Sequence, residues 1–95
     1  MSALNPDRAT LNFLNGFPEK VRKRGEKAQQ DGAVTQIFGN HLFIQGRVED
    51  KDGVHRTTLR LQGNRWFGNC TEEKEEIAGA AMYATMLERM HRGED

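Results

Sequence analysis

The feature that most constrains this chain is a series of turn signals between residues 33 and 70. Gly39–Asn40, Asp50–Lys51–Asp52–Gly53 and Gly63–Asn64 separate four short segments rich in β-branched and aromatic residues. The spacing predicts a meander of four strands over about Ala33–Phe38, His41–Val48, Val54–Leu61 and Arg65–Cys70. Pairing by apolar positions sets Ile37 opposite Leu42 across the first hairpin. With a four-residue loop in the second hairpin, Leu42 faces Leu61 and Ile44 faces Leu59. Leu61 then faces Trp66 and Leu59 faces Gly68 across the third. Ile37, Leu42, Ile44, Val48, Leu59, Leu61, Trp66 and Cys70 thereby share one face, and a slip of one residue would turn that set away from the core.

Helical patterns flank the meander. Asn5–Pro6 has the form of a helix start, with Leu11, Phe13, Leu14 and Phe17 as the apolar side of a short N-terminal segment that Pro18 interrupts. A second helix is expected over about residues 18–31, with Phe17, Val21, Gly25 and Ala28 as its inner stripe and Asp31–Gly32 as its stop. The last helix is expected from about Thr71 to His91, capped by Thr71 and closed by Gly93. Glu72, Glu73 and Glu75 suit its positive end, and Arg89, His91 and Arg92 its negative end. Its packing face is read as Ile77, Ala80, Ala81, Ala84, Leu87 and Met90, with the small residues opposite Gly46 and Gly68. The fold class is therefore α+β: a four-stranded antiparallel meander with N-terminal helical segments and a C-terminal packing helix. The expected division is an N-terminal helical segment at 1–16, a single domain at 17–92 and a flexible tail at 93–95.

A chain of 95 residues has material for one hydrophobic core. Its bases and acids balance at 14 each, so no general attraction to phosphate follows from net charge. The distribution is uneven: residues 1–48 hold seven bases and four acids, residues 49–95 seven and ten. No apolar run approaches the roughly 20 residues of a membrane span, and Asn5–Pro6–Asp7 interrupts the place of a signal peptide's apolar segment. The single cysteine, Cys70, rules out an intramolecular disulfide and fits a reducing compartment. The expected location is cytoplasmic.

Phe17–Pro18, the basic run through Arg24–Gly25, Gly32–Ala33–Val34, Gly46–Arg47–Val48, Leu59–Arg60–Leu61 and Cys70 together resemble the SWIM-type zinc-finger domain in its helicase-associated form, over about residues 17–90. That family carries Cys-x-Cys and then Cys-x-His at the start of a helix. Only Cys70 fits. Glu72 stands at the second cysteine's place, and Ile77–Ala78–Gly79–Ala80–Ala81 supplies neither of the last two ligands. Structural zinc takes four ligands, so the resemblance implies a degenerate, metal-free version without cofactor. It also implies a protein- or nucleic-acid-interaction module.

Catalysis has little to stand on. Cys70 with His55 would need an activated thiolate and a positioned base, and a buried, inert cysteine is the simpler expectation. His41, His55 and His91 match no metal spacing and are expected at the surface. The strongest functional signal is the basic stretch Lys20, Arg22, Lys23, Arg24 and Lys27, which suits a phosphate backbone or an acidic protein, or forms a solvated helix face. A companion cluster of Val34, Phe38, Phe43, Arg60 and Phe67 falls on the sheet's second face. Aromatics with arginine there can stack unpaired bases; the expectation is that the N-terminal helices cover them, and Phe43, Arg60 and Phe67, where left uncovered, join the basic stretch as partner or nucleic-acid contacts. The sequence thus points to a noncatalytic protein-interaction or regulatory adaptor module, with nucleic-acid binding through residues 20–27 as the alternative. A homodimer through Met82, Tyr83 and Met86 is a further possibility.

Overall fold

The computed structural model describes residues 7–92. Their order is α1 (Arg8–Asn15), α2 (Glu19–Gln30), β1 (Val34–Asn40), β2 (Phe43–Asp50), β3 (Gly53–Gln62), β4 (Arg65–Cys70) and α3 (Glu75–Arg92). The strands form one antiparallel sheet in the order β1-β2-β3-β4. This is the expected α+β meander. Among the described residues, no helix is long and apolar enough to cross a membrane.

The second and third hairpins take the expected register: Ile44 pairs with Leu59, Leu59 with Gly68 and Leu61 with Trp66. Two residues, Lys51 and Asp52, close the second hairpin where a four-residue loop was expected, since Asp50 also pairs with Gly53; the added pair leaves the register unchanged. The first hairpin differs. β1 continues through Gly39–Asn40, Asn40 pairs with Phe43, and the turn falls on His41–Leu42. Ile37 consequently faces Gly46 instead of Leu42. The displacement is an even number of residues, so Ile37 keeps its face, whereas Leu42 moves into the turn and is 50% exposed. Glycine is compatible with the strand interior here because Gly39 sits at φ +138°, a backbone state that most side chains avoid.

A bulge decides the placement of Val34. Val34 pairs with Val48 but Gln36 pairs with Arg47, leaving Thr35 as the extra residue. Without it, Val34 and Ile37 would point to opposite faces. With it, Val34 is buried beside Val48, Ala81 and Ala84, so it does not join the second-face cluster.

The helix ends also shift. Asp7 caps α1, accepting a bond from the Thr10 amide at 2.8 Å; the expected cap, Asn5, lies outside the described residues. On α1 it is Leu14 that enters the core, while Leu11 is 44% exposed. Leu14 joins Ile44, Leu59, Trp66, Tyr83 and Met86 in one cluster, so the expected 1–16 segment contributes directly to the core of the rest. Thr71 does not cap α3. Its amide donates to the Arg56 carbonyl and its hydroxyl accepts from the Arg56 amide, both at 3.0 Å, extending the β3–β4 pairing, and α3 starts at Glu75. The Gly93 stop and the 93–95 tail lie outside the described residues.

All three helices stack on one side of the sheet. α3 packs on all four strands, α1 lies over β4, and α2 packs on the outer side of α3. The central helix is therefore buried on two sides, and its inner set includes Tyr83, Thr85 and Met86 as well as Ile77, Ala80, Ala81 and Ala84. Leu87 and Met90 are only half-buried. Gly25 permits the close α2–α3 approach: a Cβ there would meet Tyr83 at 2.8 Å and the Ala80 carbonyl at 2.9 Å. The residues that lie over Gly46 and Gly68 are Thr85 and Met82, where alanines were expected.

Candidate functional site

Among the described residues, no helix lies on the opposite side of the sheet. Strand alternation assigns it every residue that Ile44, Leu59 and Trp66 do not share, and the pairing aligns these residues in rows. One row runs Asn40–Phe43–Arg60–Phe67 across all four strands. The next runs Phe38–Gln45–Thr58–Asn69. A third sets Gln36, Arg47 and Arg56 side by side.

This surface is open to solvent. Phe38 is 62% exposed and Phe67 47%, while Phe43 is half-buried between neighbouring rows. The expected cover by the N-terminal helices does not form, because α3 offers them an apolar back: Phe17 meets Tyr83 edge-on at 5.9 Å and Phe13 at 5.2 Å. Four arginines, Arg47, Arg56, Arg60 and Arg65, share the open face with one strand carboxylate, Glu49. Arg47 Nε lies 3.1 Å from Glu49 Oε2. Arg47 and Arg56 are direct cross-strand partners, an arrangement in which like charges repel. A shallow depression lies between Phe38 and that arginine pair, floored by Gly46 and Thr57. Arg65 holds its guanidinium 5.5 Å from the Phe67 ring centroid, a cation–π contact.

The basic helix is electrostatically different. Lys20 pairs with Glu76 at 3.3 Å, Lys23 with Glu19 at 3.3 Å and Lys27 with Asp31 at 3.1 Å. Arg24 is bound to Asp52 and lies 3.9 Å from Glu76. Arg22 is half-buried, with Tyr83 and Glu26 nearby; burial first, and then the Glu26 charge, pushes the Tyr83 phenol up. The bases of α2 are thus largely compensated by the protein's own acids. They also lie on the helical side, so Lys20, Arg22, Lys23, Arg24 and Lys27 form no continuous surface with Phe43, Arg60 and Phe67.

His55 is not at the surface, as had been expected, but only 2% exposed. Its Nε2 is 3.0 Å from Asp50 Oδ1 and its Nδ1 3.7 Å from Glu72 Oε2. Burial works to raise the Asp50 carboxyl's pKa, but hydrogen bonds with His55 and the Asp52 amide outweigh it and hold the group below its ordinary 3.8. Cys70, opposite Thr57, is half-buried at the end of β4. Burial pushes its thiol up, and Glu72 adds to that, so the thiolate is disfavoured. Its sulfur accepts from the Glu72 amide at 3.5 Å, while His55 is turned to the two carboxylates. Among the described residues no group of three or more His, Cys, Asp or Glu is arranged to hold a metal ion. Tyr83 and Met86 are buried and Met82 half-buried inside the fold, so they form no patch for a second copy.

Arg47, Arg56 and Arg65 went unnoticed as a set in the sequence because they are scattered singly over three strands. The signal was parity: once Ile44, Leu59 and Trp66 point inward, the alternate positions gather these arginines with Arg60. Fold and surface together define a two-sided α+β protein with one covered and one open sheet face. Comparison with protein-family models, curated proteins and solved structures gives no match to this chain.

Proposed function

We propose that this chain is a noncatalytic interaction module whose contact surface is the open face of its sheet, and that its partner is acidic. The observation that carries this reading is the charge arrangement: Arg47 set directly against Arg56, with Arg60 and Arg65 nearby and Glu49 the only strand carboxylate among them. Cross-strand repulsion between two guanidinium groups is relieved when an anion bridges them. Exposed rings at Phe38 and Phe67 supply apolar area that gains by leaving water. The resemblance to SWIM-type domains, an interaction family, points in the same direction. The helix at Lys20–Lys27 serves structure in this account, since four of its five bases are engaged by Glu19, Asp31, Asp52 and Glu76.

A proton–nitrogen NMR titration with heparin fragments, used as a generic polyanion, tests the reading. The expected result is shifts concentrated on the amides of Arg47, Arg56, Arg60 and Arg65, suppressed by added salt. Shifts confined to Lys20–Lys27, or none at low salt, would contradict it.

A further inference from the structure

We infer that the partner is a single-stranded nucleic acid, its bases laid on Phe38, Phe43 and Phe67 and its phosphates held by the intervening arginines. The inference rests on the open face being a contact surface for acidic partners, and it adds the partner's chemistry. Charge alone would suit a duplex, a polysaccharide sulfate or an acidic protein equally. The arrangement of rings is what discriminates.

Phe43 and Phe67 occupy one row with Arg60 between them, so they are two strand spacings apart, roughly 9–10 Å. Phe38 sits one strand over and one row along from Phe43, a diagonal of roughly 7–8 Å. Bases in a duplex repeat at about 3.4 Å with both ring faces already occupied, so they cannot reach such platforms. Unpaired bases can splay to that spacing and offer a free π face to each ring. The arginines stand where a backbone threading between the rings would pass: Arg60 between Phe43 and Phe67, Arg47 and Arg56 beyond Phe38. Arg65 now covers the Phe67 ring at 5.5 Å. A base arriving on that ring takes over this stacking position, and the guanidinium is then placed to meet a phosphate. Gln45, Thr58 and Asn69 continue the Phe38 row and place hydrogen-bonding side chains at the level of base edges. An acidic peptide built of Asp and Glu alone has no flat rings to stack on these three platforms.

The test is fluorescence anisotropy with a labelled single-stranded oligonucleotide of about ten nucleotides, as oligo-uridine and as oligo-thymidine. Unlabelled duplex, heparin and poly-glutamate serve as competitors. Binding of either single strand, with each competitor weaker, is expected. Phe38→Leu and Phe67→Leu should each weaken that binding about tenfold. Leucine keeps apolar bulk at exposed positions, and far-UV circular dichroism of both variants verifies the fold. If the duplex or poly-glutamate competes as well as the single strand, or if both leucine variants bind it like the native chain, the stacking inference is overturned while the acidic-partner reading stands. If neither the oligonucleotides nor heparin bind at low salt, both fall.

Discussion

The two faces of one sheet do opposite things with the same backbone. On the inner face Ile44, Val48 and Leu59 are almost wholly buried, and Thr57 binds Thr85 at 2.9 Å beneath α3. One residue along, Phe43, Arg47, Arg56 and Arg60 lie on the outer face, turned away from α3. Strand alternation explains how neighbours come to differ so sharply. It does not explain why the outer face carries three phenylalanines and a directly opposed arginine pair, since a face used only for solvation is well served by threonine and mixed charge. The difference separates residues that hold the fold together from residues available to a partner.

That separation can be broken by substitution, and the largest effect belongs to the core. Leu59→Ala removes a side chain with 0% exposure and should cost about 2–5 kcal/mol in a denaturant melt. Its neighbour Arg60→Gln should move the same melt by no more than about 0.5 kcal/mol. Gly46→Ala comes next: the new methyl would meet Thr85 at 2.5 and 2.7 Å, so a loss of about 1–3 kcal/mol is expected. Acid should act on the helical side through Asp7 and Asp50, whose carboxyls both lie below the ordinary 3.8. Asp7 is held down by the Thr10 hydrogen bonds and Asp50 by those of His55 and the Asp52 amide. A group with a depressed folded pKa contributes stability above its unfolded value and loses it as pH falls through the folded one. Stability should therefore decline below about pH 4, and Asp7→Asn, which still caps, should reduce that dependence. At the same small scale as Arg60→Gln, Lys23→Gln removes the exposed i,i+4 pair with Glu19 and should cost about 0.3–0.5 kcal/mol.

How much of this was legible beforehand follows from local chemistry. The second and third hairpins were read in register because Asp50–Lys51–Asp52–Gly53 and Gly63–Asn64 mark where the turns fall, with Ile44, Leu59 and Trp66 at matching parity. The first was misplaced because Gly39–Asn40 has the composition of a turn, yet the chain uses it as strand and turns at His41–Leu42. Val34 was assigned to the wrong face because a bulge at Thr35 leaves no mark in an apolar pattern. The second face was seen, but that it stays uncovered was missed for a different reason. A helical stripe shows that α1 and α2 must pack on something, but not on which layer. The clue lay in α3, where Gly79, Ala80, Ala81, Tyr83, Ala84 and Met86 leave little purely polar face, as suits a helix covered on two sides. His55 looked like a surface histidine because the carboxylates that accompany it inside come from the ends of separate segments, Asp50 and Glu72.

The salt dependence of single-stranded oligonucleotide binding tests the central claim most directly, measured for the native chain, Arg60→Gln and Lys23→Gln. Each phosphate contact on a single strand contributes about 0.7 to the slope of log affinity against log salt. The account predicts that Arg60→Gln lowers the slope by about that amount and that Lys23→Gln leaves it unchanged. A slope that falls with Lys23→Gln and ignores Arg60→Gln would move the contact surface to α2 and contradict the account.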